Sequence, residues 1–294
     1  MTRHPKKSKS SDRGNILMFD EYAGPRLLNP TQRRAHSKLI EADRMSAIGS
    51  MACSLSHDMR HSLAAISANA EFLERYDLCA STRSDLLLEI QEAVLVMTDR
   101  LDSLLQFGCG GQKNPLIHGR VSLVVEKAVA AVKSHPDGRN VSITLGKFSR
   151  VEADMDARNL ESAIYNLLLN ACQAATRSTH EPEVKVHLAE LDELIYITIL
   201  DNGPGIPASV RKTLFDPFVT AEKTNGTGLG LTLARRTAEE HGGSVIVEES
   251  NGERTVFTLS LTKNRLIGLE GLIAVAPIQR KNTFLNSVRD SDHH

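Results

Sequence analysis

The chain has 294 residues, room for roughly two domains of ordinary size. Hydrophobic residues make up 41% and charged residues 24%, which is globular usage and not that of a disordered or fibrous chain. A formal net charge of −1, with aromatics at 4% and no Trp, argues against both the basic field and the stacking platform of a nucleic-acid binder.

Cys53, Cys79, Cys109 and Cys172 form no C-x-x-C pair, the pattern of reduced thiols and not of a disulfide framework or zinc site. No apolar run approaches the ~18 residues that a membrane span needs. The basic start is followed by no apolar core. A cytoplasmic protein without a membrane span is expected.

Residues 1–14 are polar and basic, which predicts disorder. Gly24, Pro25 and Pro30 break any long helix in 15–37, so residues 1–37 read as tail and linker. From about 38 to 76, Ile48, Ala52, Leu55, Met59, Leu63, Ile66, Ala70 and Leu73 recur every three or four positions, as on one face of a helix. Leu87, Ile90, Val94, Met97, Leu101 and Leu104 repeat the pattern as a heptad seam. The connection around Asp77–Arg83 is short, so an antiparallel hairpin is expected over 38–110. One hairpin cannot bury its stripe alone, but two form a four-helix bundle, which predicts a homodimer. Gly108, Gly110 and Gly111 end the second helix.

Residues 111–263 read as an α/β sandwich. Strands are expected at Val141–Leu145, Val151–Ala153, Glu183–Leu191, Leu194–Leu200, Ser244–Glu249 and Thr255–Leu261. Helices are expected at Asp156–Thr176 and about Leu229–His241, the latter preceded by a glycine-rich loop and a short helix. The tail 264–294 shows no pattern.

Four short elements carry chemistry. Asn166 and Asn170 lie four apart on one helix face, opposite Ile164, Leu167, Leu168 and Ala171. Their amide oxygens are neutral hard donors suited to a phosphate-bound magnesium ion; a plain solvated face gives the same spacing. Asp201-Asn-Gly-Pro-Gly-Ile206 ends a buried strand, where a carboxylate can accept from an exocyclic amine such as adenine's. Gly203 and Gly205 allow a tight turn and close approach of a ligand, although these residues also signal an ordinary turn. Leu214-Phe-Asp-Pro-Phe218, followed by Lys223, Thr224 and Asn225, fits a hinged lid or a satellite apolar cluster. Gly226-Thr227-Gly228-Leu229-Gly230 leads into a helix, whose N-terminus and exposed N–H groups make a phosphate cradle. No strand precedes it, which disfavours a dinucleotide fold.

Taken in order, these elements resemble the N box, first glycine box, F box and second glycine box of the GHKL ATPase superfamily, and within it the catalytic domain of sensor histidine kinases. Upstream, His57-Asp58-Met59-Arg60 is similar to the H box of their dimerisation and phosphoacceptor domain. Asp43-Arg-Met-Ser-Ala-Ile-Gly49 resembles the lead-in of the nitrogen-regulation type. The resemblance covers roughly residues 40–262. It implies an α+β chain: a hairpin forming a dimeric four-helix bundle, then a GHKL (Bergerat-type) ATP-binding sandwich.

The implied activity is ATP-dependent autophosphorylation of His57, with Asp58 orienting the ring and taking its proton, and transfer to an aspartate of a separate response regulator. The implied cofactors are ATP and Mg²⁺. Asn170 and Asn166 would hold the metal, and Asp201 would read adenine. Gly203, Gly205, Lys223, Gly226, Thr227, Gly228, Leu229 and Gly230 would complete the nucleotide site. Nucleic acid is not an expected partner. Two departures stand out: His61 replaces the family's Asn or Thr, a residue tied to phosphatase activity, and Ser62 replaces its Pro. Losing that Pro removes a kink. A dimeric ATP-binding scaffold or pseudokinase, and a GHKL protein-serine kinase, remain as alternatives.

Overall fold

A computed structural model describes residue 49 and residues 56–263, apart from 76, 109–113, 179 and 221–226. The tail and linker of 1–37, most of the 43–49 lead-in, Ile48, Ala52, Leu55, Gly110, Gly111 and the 264–294 tail lie outside the described residues.

Helix α1 covers residues 56–73 and runs through Ser62 without a break, as the absence of Pro there predicts. Helix α2, Ala80–Gly108, begins within the predicted connection. The amide of Asn69 donates to Glu89 at 2.8 Å, and Arg100 donates to Asp58 at 2.8 Å. The earlier residue of α1 thus meets the later one of α2, so the two helices run antiparallel.

The rest is built on a five-stranded sheet in the order β2-β4-β5-β7-β6. Its strands are β2 Ser142–Phe148, β4 Glu183–Leu191, β5 Leu194–Asp201, β6 Ser244–Ser250 and β7 Thr255–Thr262. The β2–β4 pair is parallel and the other three are antiparallel. A separate two-stranded ladder joins β1 Ile117–Arg120 to β3 Glu152–Met155. Helix α5, Ala157–Ala175, packs on the sheet with α3, Val121–Ser134, and α6, Gly230–Glu240, beside it. A short α4, Pro136–Arg139, follows α3.

The core follows from the sequence periods. On α5, Leu160, Ala163, Ile164, Leu167, Leu168, Ala171, Cys172 and Ala175 are buried, one helix face at steps of three and four. They meet the alternate residues Val184, Val186 and Leu188 of β4 and Ile195, Ile197 and Ile199 of β5, all fully buried. Asp156 caps α5 by accepting from the Asn159 N–H at 3.1 Å. The Asp156 N–H in turn donates to His241 Nε2 at 2.9 Å, while His241 Nδ1 lies 2.7 Å from the Thr237 carbonyl. That pair of contacts assigns the ring proton to Nδ1 and ties the end of α6 to the start of α5.

The structure differs from the sequence reading in three places. Helices α3 and α4 and strand β1 are additional elements. The short helix expected before α6 is a run of turns at 208–216, with N–H groups bonding three residues back from Val210, Thr213 and Asp216. Strand bounds move by one to three residues: β2 extends to Phe148 and β3 to Met155.

Leu167 is wholly buried, so Leu167→Ala is expected to cost about 2–5 kcal/mol in urea unfolding. The same change at Leu145, 44% exposed, should shift stability by no more than about 0.5 kcal/mol.

Candidate nucleotide and phosphoacceptor site

Helix α5 buries one face and leaves Asn166 and Asn170 half-buried on another. Both glycine-rich segments press against this helix. A Cβ on Gly230 would sit 3.0 Å from Asn166 Oδ1, and one on Gly203 would sit 2.7 Å from the Ala174 carbonyl. The predicted amide and glycine residues are therefore brought together by shape as well as by order in the chain.

Asp201 ends β5 and is 3% exposed. Its Oδ1 accepts from the Gly203 N–H at 3.0 Å. Burial pushes its carboxyl up to about 6, opposed by the Gly203 N–H and the Thr255 side chain, which favour the charged form. Gly205 takes φ +81°, and a Cβ there would lie 1.9 Å from the Asn251 carbonyl oxygen, so no other residue fits without rearrangement. Asn202 fastens the loop from outside, donating to the Glu181 carbonyl at 2.7 Å and accepting from the Glu183 N–H at 3.0 Å.

The F-box segment and the second glycine loop also meet. The Phe218 N–H donates to the Gly228 carbonyl at 2.9 Å. Phe218 itself has φ 67°, a backbone strain of about 1–3 kcal/mol for a bulky residue. The Phe218 ring stands edge-on to Phe107 of α2, with centroids 5.5 Å apart. Phe107 is buried with Leu229 and Leu233. The Leu229 side chain therefore belongs to an apolar cluster, and only its backbone can face a phosphate. The Thr227 hydroxyl accepts from the Leu229 N–H at 3.3 Å. Lys223, Thr224, Asn225 and Gly226 lie outside the described residues.

On α1, the His57 side chain is 72% exposed, and its Nδ1 lies 3.7 Å from Asp58 Oδ1. The other Asp58 oxygen accepts from Arg100 at 2.8 Å, which fixes the carboxylate beside the ring. Arg100 was not singled out in the sequence; its partner is 42 positions away and no local motif marks it.

A second set of contacts escaped the sequence as well. Glu92, Asp99 and Gln106 are seven apart on α2, and each meets the α/β part. Arg139 donates to Glu92 at 2.6 Å, Tyr165 to Asp99 at 2.7 Å and Ser162 to Gln106 at 3.1 Å. His135, 5% exposed, lies 3.4 Å from the same Asp99 carboxylate. Burial first, then Asp99, raises the Tyr165 hydroxyl, which keeps it a donor. Retrospectively, the heptad spacing of three polar residues was the available signal.

Residues 155–265 match the family described as Histidine kinase-, DNA gyrase B-, and HSP90-like ATPase. The chain is 31% identical over 251 residues to the C4-dicarboxylate transport sensor protein DctB of Rhizobium meliloti, covering 83% of this chain and 39% of that protein. It is 28% identical over 242 residues to the sensory histidine kinase/phosphatase NtrB of Vibrio alginolyticus, covering 78% of this chain and 67% of that one. The chain thus spans between 39% and 67% of the length of these two curated relatives. The solved structure of histidine kinase ThkA in complex with response regulator protein TrrA matches with a TM-score of 0.58 over 80% of this chain and 67% of that one. At 16% identity this likeness shows the fold.

The raised Asp201 carboxyl makes a pH prediction. Below about pH 3 the group is neutral whether folded or not. Between there and about 6 the native state holds the proton more tightly, so this group's contribution to stability falls as pH rises. Asp201→Asn is expected to remove that fall, gaining on the order of 2 kcal/mol over the wild type above about pH 7. Urea unfolding of both proteins across pH checks it, and parallel profiles would contradict it.

Proposed function

We propose, from the premise that the chain belongs with the sensor histidine kinases through its Histidine kinase-, DNA gyrase B-, and HSP90-like ATPase domain, that it uses Mg-ATP to phosphorylate His57. The phosphoryl group then passes to an aspartate of a response regulator. The observation that supports this best is the convergence of Asn166, Gly203 and Gly230 on one helix, within a chain that also presents an exposed imidazole beside a fixed carboxylate.

In this reading the nucleotide lies along α5. Asp201 accepts from the adenine amine, while Gly203 and Gly205 bring the backbone close. Backbone N–H groups of the Gly226–Gly230 segment, which leads into α6, would receive the phosphates together with Thr227, with Lys223 as a further candidate phosphate contact. The residues fit a magnesium ion: the amide oxygens of Asn170 and Asn166 are hard neutral donors, and Asn166 Oδ1 already borders the cradle. When bound, that ion supplies neutralisation of phosphate charge. Asp58, held by Arg100, keeps the Nδ1 side of the His57 ring and receives its proton. The Nε2 atom, which lies 3.3 Å from His61 Nε2, attacks the terminal phosphorus once its lone pair is released from that contact, and ADP leaves as the N–P bond forms.

The helical pair is proposed to dimerise as a four-helix bundle. Leu63, Leu87, Val94 and Leu101 are 40–51% exposed on a single chain, an apolar face that a second copy would cover. The functional division is then 38–110 for dimerisation and phosphotransfer and 111–263 for catalysis. Among the described residues no helix is long and apolar enough to cross a membrane.

Incubation with γ-labelled ATP and magnesium tests the proposal. The expected product is an acid-labile, base-stable protein label that His57→Gln abolishes. Label persisting in that variant contradicts the assignment of His57, and an acid-stable label assigns the acceptor to a hydroxyl residue.

A further inference from the structure

His57 and His61 stand four residues apart on α1, so their rings share one face of the helix. Their Nε2 atoms are 3.3 Å apart, with ring centroids separated by 4.4 Å and ring planes at 64°. Both residues are exposed. Without a metal, this contact is a hydrogen bond in which one ring donates to the other. The same geometry has a second meaning. Two imidazole nitrogens bound to one tetrahedral zinc ion, each at 2.0–2.1 Å, lie about 3.3–3.4 Å from each other. The observed separation matches that bite in distance, and a modest rotation of the two exposed side chains would aim both lone pairs at one ion.

The surroundings favour the same use. The Asp58 carboxylate lies 3.7 Å from His57 Nδ1 and is fixed by Arg100 at 2.8 Å. At 3.7 Å the carboxylate makes no hydrogen bond to the ring, but its charge favours the ring proton on Nδ1 and so the lone pair on Nε2, and a small rotation would complete the carboxylate–histidine contact that orients ligands in metal sites. Imidazole suits zinc and copper, whereas magnesium prefers oxygen ligands, so magnesium supplied with a nucleotide does not compete for the pair. Among the described residues no three His, Cys, Asp or Glu side chains converge. The site is therefore a two-point chelate, its remaining positions filled by water.

We propose that His57 and His61 together chelate a divalent transition metal of the zinc and copper class, and that the bound ion withholds His57 from phosphorylation. The second half rests on the function proposed above, because it needs Nε2 of His57 to be the phosphoryl acceptor. The chelate itself does not.

The test uses the full chain in two arms. Calorimetric titration with zinc, without nucleotide, compares the wild type with His57→Ala and His61→Ala, whose folding is checked by circular dichroism. The wild type is expected to show a site that either variant weakens by at least about tenfold. Identical isotherms in all three proteins overturn the chelate. In the second arm, labelled ATP and magnesium are supplied with and without zinc at the concentration that saturates the wild-type site. Zinc should suppress the label in the wild type and spare it in His61→Ala, with both proteins sharing any zinc bound by ATP itself. Equal suppression in both overturns the blocking role. If neither protein is labelled without zinc, the kinase reading and the blocking role fall together, while calorimetry still decides the chelate.

Discussion

Helix α5 must satisfy two surfaces at once. One face is sealed against β4 and β5 by side chains that are almost wholly inaccessible, and each buried Leu or Ile there contributes about 1.5–3 kcal/mol. That packing leaves no freedom to rotate the helix, so Asn166 and Asn170 are held in place on another face. The two glycine loops can reach the helix only because they lack side chains at the points of contact. At Gly203 a methyl group would meet the backbone of Ala174, and at Gly230 it would meet the Asn166 amide. The sheet, the helix and the loops therefore form one device, in which apolar burial fixes the positions of polar groups.

Asp201 shows what this arrangement costs. Its burial disfavours the charged carboxylate, and the compensating hydrogen bonds from Gly203 and Thr255 do not fully offset that. A carboxylate kept in this condition gains most when a hydrogen-bond donor reaches it. The strained backbone of Phe218, set against Gly228, is a second local cost beside the same loop.

The placement of the candidate site residues was legible in the sequence because each sits in a short motif whose spacing matches a helix face or a turn. Asn166 with Asn170, and Asp201 with Gly203 and Gly205, are of this kind. The glycine spacing around Leu229 did not reveal that its side chain turns into the Phe107 and Leu233 cluster, since a motif specifies backbone shape and not which neighbour a side chain meets. Helix α3 was readable in retrospect: Val121, Val124, Val125, Ala128, Val129 and Val132 are all buried at helical spacing. Arg100 on Asp58, and the contacts of Glu92, Asp99 and Gln106 with the α/β part, pair residues 42 to 66 positions apart. Such pairs depend on the tertiary arrangement and leave no local trace. Through them the α/β part rests along α2, so the α5 face with its two glycine loops and the His57 helix are linked in the same chain.

The central claim is that one nucleotide occupies the wall of α5 between the two glycine segments. Amide hydrogen exchange, with and without a non-hydrolysable ATP analogue and magnesium, addresses it most directly. The account predicts slowed exchange concentrated at 201–206 and 227–230 and in the turns of α5 that carry Asn166 and Asn170. Unchanged exchange in those three segments, with protection appearing elsewhere, would contradict it.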